Sequence, residues 1–141
     1  MISSQFSSLS DLLDQHEFIK DSERECNIKG IDIIDIEDYW SILITDSRII
    51  FLKDAVFSDD YTKVPSSFGK VYFIYISSII IHAIASPGEL DPCFPCLYFQ
   101  IEDNVDIDKV VEVKIFLKDI ERVRRLFNII CELSALSIIE S

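Results

Sequence analysis

Cys93-Phe94-Pro95-Cys96 has the two-residue spacing of a zinc knuckle or a dithiol redox pair, which makes it a first candidate for chemistry. A structural zinc needs four ligands, and the sequence offers no second Cys or His pair at a suitable spacing. A thioredoxin-like pair would open a helix inside a strand-helix-strand unit, which the flanking sequence lacks. Two thiols in a loop stiffened by Pro87, Pro92 and Pro95 is the reading that remains. Cys26 and Cys131 read as small buried side chains, one in the first strand and one in the last helix. There is no phosphate-cradling glycine loop, nucleophile elbow or His-Glu metal motif, and the two histidines stand far apart. Asp11, Asp14, Asp35, Asp38, Asp59, Asp60, Asp103, Asp106 and Asp108 lie in polar stretches, where a solvated face is the default. No enzyme, cofactor or resident metal is expected; the residues point to a binding protein.

The elements that would position a binding surface follow from the hydrophobic period. Between Glu25 and Leu117 the period is two, and the apolar residues are mainly Ile, Val, Phe and Tyr, which suit a pleated, half-buried surface. Ile31 to Ile36 alternates in two opposite phases, so a bulge is expected between Ile33 and Ile34. Trp40, Ile42 and Ile44 share a face; Thr45-Asp46-Ser47 supplies turn chemistry, and Arg48 to Lys53 returns with Ile49 and Phe51 inward. Asp54 to Gly69 is a breaker-rich loop. Val71 to Ile76 and Ile79 to Ala85 meet at a Ser77-Ser78 corner, and strands built on Leu97, Phe99 and Ile101, then on Val111, Val113, Ile115 and Leu117, bring the count to seven. Beyond Leu117 the period becomes about 3.6, with Ile120, Val123, Phe127, Ile130 and Ser134 on one stripe, widened by Leu126, Ile129 and Leu133. Asp119 stands at the N-cap.

The domain expected is 21–136, with a flexible or weakly helical segment at 1–20 and a frayed end at 137–141. The 141 residues carry 13 Lys and Arg against 25 Asp and Glu, a net charge of -12. Such a surface repels phosphate, so direct nucleic-acid binding is not expected, whereas basic proteins are attracted. Met1 to Lys20 has no signal-peptide pattern, and the uncharged Val71 to Gly88 stretch is broken by Ser77, Ser78, His82, Pro87 and Gly88, so no membrane insertion is expected. Four scattered cysteines do not make a secreted disulfide framework. The chain reads as cytoplasmic, with the nucleus as a second location.

Seven strands closed by one amphipathic C-terminal helix make a mainly β fold, a β-roll with an α cap in the order of a pleckstrin-homology-like domain: two bent antiparallel sheets plugged at one end. Particular residues narrow this. Ser41 to Leu52 resembles the acidic-Ser-Arg-apolar hairpin of the ICln family, also called pICln or methylosome subunit. Ile79-Ile80-Ile81-His82-Ala83-Ile84 resembles that family's apolar-His-Ala-apolar strand. Leu126-Phe127, Cys131-Glu132 and Ala135-Leu136 resemble its last helix, so the likeness runs in order from Glu25 to Leu136. It implies a non-catalytic assembly chaperone that holds Sm or Sm-like proteins before they form the ring on small nuclear RNA during spliceosomal ribonucleoprotein assembly. The family's acidic insert shrinks here to Glu102, Asp103, Asp106 and Asp108, and its acidic tail is lacking, so the chain reads as a short form. Those tail motifs are associated with an arginine methyltransferase complex, and their loss puts that partner in doubt.

In such a roll the strand Ile79, Ile80, Ile81, His82, Ala83, Ile84, Ala85 lies at a sheet edge, where natural proteins place Lys, Pro or other charge against unwanted pairing. This edge carries none. It is expected either to be covered by the chain's own N-terminus or to accept a partner's strand through main-chain hydrogen bonds. His82 reads as an ordinary surface residue. Phosphoinositide binding would call for cations near the first strand pair, where Arg24 and Lys29 are outnumbered by Glu23, Glu25, Asp32, Asp35, Glu37 and Asp38. Arg122, Arg124 and Arg125 read as paired with nearby acids. The alternative functions are a pleckstrin-homology-like adaptor for another peptide or a membrane-associated partner, or a regulator of chloride conductance.

Overall fold

In the computed structural model, which describes residues 2–4, 12–30, 39–59, 64–85, 94–102 and 110–140, the branched and aromatic stretches pair as antiparallel strands. They are β1 (Ile2–Ser4), β2 (Ile19–Lys29), β3 (Trp40–Thr45), β4 (Arg48–Lys53), β5 (Val71–Tyr75), β6 (Ile79–Ala85), β7 (Cys96–Glu102) and β8 (Val110–Phe116), followed by helix α1 (Ile120–Glu140). Hydrogen bonding is continuous in the order β1-β5-β4-β3-β2-β8-β7-β6. The two expected sheets therefore share one strand. β2 pairs with β3 from Ile19 to Cys26 and with β8 from Asn27 to Lys29. The register shifts between Glu23 and Cys26, where Glu25 takes a left-handed φ of 56°, and this bulge bends β2 from one half of the roll into the other. Gly30 ends the strand at φ 97°, and a Cβ there would come within 1.9 Å of the Glu112 carbonyl oxygen, so only glycine lets β2 pass β8. The expected alternation over Ile31 to Ile36 lies outside the described residues.

Inside the roll, Ile28, Ile42, Ile44, Ile49, Phe51, Phe99 and Ile115 are fully buried and meet Val123, Leu126, Ile130 and Leu133 of α1. Trp40, Ile42, Ile44, Ile49 and Phe51 face inward as their spacing predicts. The helix is capped by Asp119, whose carboxylate accepts from the Glu121 amide at 2.9 Å. α1 extends to Glu140, further than the frayed end expected at 137–141. The Ser77-Ser78 corner is a single 3-10 turn, Ile76–Ser78, closed by a Ser78 hydroxyl bond to the Tyr75 carbonyl.

A second apolar cluster lies on the other face of β3, β4 and β5. Leu43, Ile50, Leu52, Val71 and Phe73 pack there against Leu12, with Leu13, Ile19, Ala55 and Phe68 at the margin. Strands buried on both faces read as unbroken apolar runs, as Ile42-Leu43-Ile44 and Ile49-Ile50-Phe51-Leu52 do. The described parts of the segment expected to be flexible or weakly helical are thus tied down: Ile2–Ser4 pairs with Val71–Phe73, and Leu12 covers the hairpin.

The tie is a buried ion pair. Arg48 pairs with Glu17, donating from Nε at 2.8 Å, and also donates to the Leu12 carbonyl at 2.7 Å while its guanidinium stacks on Phe73. The Thr45 and Ser47 hydroxyls donate to the same carboxylate. Burial alone would raise the Glu17 carboxyl, but the bonds from Arg48, Thr45, the Asp14 amide and Ser47 outweigh it and hold it at about 2, below its ordinary 4.5. A depressed carboxylate stabilises the fold above its unfolded pKa and ceases to do so as the pH falls through its folded one. Stability contributed by Glu17, on the order of 2 kcal/mol, is therefore complete above 4.5 and is lost as the pH falls toward 2. Glu17→Gln strands a buried cation and is expected to cost about 3 kcal/mol at neutral pH. Urea unfolding should show the gap between wild type and variant narrowing steadily between pH 5 and pH 2.

Candidate functional site

The candidate partner-binding residues, Ile79, Ile80, Ile81, His82, Ala83, Ile84 and Ala85, are together β6. β6 pairs with β7 from Ile79↔Ile101 to Ala85↔Cys96, and its other side has no strand partner among the described residues. A strand edge of this kind presents alternating amide and carbonyl groups outward. The N-terminus pairs at the far border of the same sheet, on β5. A register shift between Ile79 and Ile81 sets Ile80 out of the ladder, after which pairing is regular to Ala85. Ile80 and Ile81 are 49% and 51% exposed, while Ile79 and Ile84 pack against the inner core.

The floor beneath this edge is α1. The His82 ring lies 5.1 Å from the Phe127 ring, and its Nε2 is 3.1 Å from the Cys131 sulfur. His82 is thus not the ordinary surface residue the sequence suggests, because the inward phase of β6 turns it onto the helix. Cys131 is correspondingly half-buried at the helix flank instead of in the core. No local pattern links residues 49 apart, so this contact had no sequence signal.

The helix is clamped at its other end. Arg122 donates to Glu23 at 2.6 Å and to the Arg24 carbonyl at 2.6 Å, while Arg125 pairs with Glu23 and, at 2.9 Å, with Asp21. Arg124 pairs with Glu121 one turn away. The three arginines of the basic cluster are therefore engaged with acids, as their spacing suggests. Cys96 is buried at the start of β7, and burial raises its thiol; Cys93 lies outside the described residues. Burial also pushes the Cys26 thiol to about 12, nearby Arg122 opposing, which leaves it un-ionised at neutral pH. Among the described residues no three His, Cys, Asp or Glu side chains group as a metal site, and no helix is long and apolar enough to cross a membrane.

A bent roll of antiparallel strands plugged by a C-terminal helix defines a pleckstrin-homology-like domain, and the solved structures similar to this chain bear that out. A chain of "The 8S snRNP Assembly Intermediate" aligns at TM-score 0.61 and 16% identity, covering 96% of this chain and 91% of that one. "Vps36 N-terminal PH domain" aligns at TM-score 0.60 and 16% identity, covering 99% and 96%. At such identity the likeness establishes the fold. No protein-family model matches the sequence, and no curated protein matches it.

Because Phe127 supports β6 from beneath, Phe127→Ala should loosen the edge before the rest of the roll. Hydrogen exchange should quicken at least tenfold in β6 amides while β3 and β4 change little; uniform acceleration would show that Phe127 supports the whole core.

Proposed function

We propose that this domain is a non-catalytic assembly chaperone of the cytoplasm that holds Sm or Sm-like proteins by adding their strand to β6. The observation that carries the reading is a chargeless strand, regularly paired from Ile81 to Ala85, whose outer side has no strand partner among the described residues and whose Ile80 and Ile81 are half exposed, while the chain's N-terminal strand pairs at the opposite border. Natural edges of this length are normally protected by charge or cover. Main-chain bonds along β6 supply affinity, and the side chains that alternate along the strand supply choice. A net charge of -12 favours encounter with a basic partner. The resemblance of Ser41 to Leu52, Ile79 to Ile84 and Leu126 to Leu136 to the ICln family, together with the fold likeness to a chain of an snRNP assembly intermediate, supports Sm-type proteins as the partners within this chemistry.

Ile81→Lys places a solvated cation on the edge at a half-exposed position. It should weaken binding of a purified Sm heterodimer at least tenfold by calorimetry while moving the melting temperature by only about 2–3 °C. Raising salt from 50 to 300 mM should slow association of the wild-type pair more than its dissociation. Undiminished binding by Ile81→Lys rejects the edge. Coelution with acidic liposomes and not with Sm heterodimers favours the adaptor reading instead.

A further inference from the structure

A cleft of about 450 Å³ opens between β2, the start of β3 and the end of β4, away from β6, with Arg24, Glu25, Tyr39, Trp40, Asp54 and Phe57 among its walls. This volume is within the range of small-ligand sites. Glu25 and Asp54 are exposed and have no ion-pair partner among the described residues, and both stand at a left-handed φ of 56°. The Phe57 ring already carries a guanidinium: that of Arg24 lies 3.7 Å from its centroid, held by a 2.9 Å bond to the Asp59 carbonyl. Tyr39, 56% exposed, adds a second open ring. Trp40 is 2% exposed, and its indole N–H is buried with no hydrogen-bond partner.

We propose that this cleft binds an arginine side chain of a basic peptide. Two carboxylates against the one engaged cation make the cleft unfavourable to a phosphate or carboxylate ligand and favourable to a positive one. Aromatic walls select a cation that stacks, and the planar guanidinium also matches a carboxylate in two parallel bonds, which an ammonium does not. The site is distinct from β6, so a client held at the edge and a basic segment held in the cleft engage separate surfaces.

Trp40 is the one tryptophan of the chain, so its emission reports occupancy of the cleft directly. The full chain is titrated with acetyl-Gly-Arg-Gly-Arg-Gly-amide and with the Lys and Glu counterparts. A saturable change with the Arg peptide is expected, at least tenfold weaker with Lys and absent with Glu. Asp54→Asn and Glu25→Gln should each weaken the Arg peptide at least tenfold with the melting temperature little changed; asparagine tolerates the left-handed backbone at 54. Ile81→Lys should leave the titration untouched. The proposal is overturned by absence of a saturable change, by equal response to the three peptides, by carboxamide variants that bind as wild type, or by loss of binding in Ile81→Lys, which would move the peptide to the edge. None of these results depends on whether Sm proteins bind β6.

Discussion

The bend in β2 is the constraint on which the rest of the molecule depends. A single strand hydrogen-bonds to β3 with its first part and to β8 with its last, and the change of partner is made possible by the bulge that sets Glu25 left-handed. Without it the strands would extend one open sheet. With it, the inner faces of both halves close over Ile28, Phe51 and Phe99, and α1 seals the remaining gap with Val123, Leu126 and Ile130. The same bend puts Glu23 where it pairs with Arg122 and Arg125, so strand and helix are locked by charge at one end and by Phe127 against His82 at the other. Glu25, at the kink itself, projects into the cleft.

A roll of this kind has two borders, and the chain treats them differently. The border at β5 receives Ile2–Ser4, and the segment leading from it is anchored by Arg48 on Glu17 and Leu12. The pair holds only as a pair, since removal of either partner would leave the other desolvated. β6 receives nothing from the described residues, though it is longer and carries no charge. Among the described residues, one border is thus covered by the chain itself and the other is not.

Much of this was legible in the sequence because it is local. The period of two located the strands from Trp40 onward, the change to 3.6 located α1, and Thr45-Asp46-Ser47 and Asp119 gave the turn and the cap through bonds within three residues. The chargeless run Ile79–Ala85 was legible for the same reason. What the pattern did not yield depends on distant partners. The N-terminal segment reads as loose because Glu17 and Leu12 are held by Arg48, which stands 31 residues beyond Glu17. The inverted phase of His82 became visible only once the register with Phe99 was fixed. The period-two reading placed only one face of β3 and β4 inward; that their other face is covered as well, by Leu12 of the N-terminal segment, came from the structure.

The proposed client edge raises the question of what would oppose pairing between two copies of the chain. Two features of this chain oppose it. The shift at Ile79–Ile81 sets Ile80 out of line, so a flat partner would meet regular ladder only toward Ala85, and bulged edges resist continuous pairing. Each copy also carries a net charge of -12, so the approach of a second copy is repulsive over roughly a Debye length, about 8 Å at physiological salt, before any backbone bond can form. A basic client of the proposed kind would be attracted by the same field. Main-chain pairing contributes little discrimination of its own, so on the proposed reading the choice made by the alternating side chains at contact is preceded by a selection at long range, which the charge of the domain exercises.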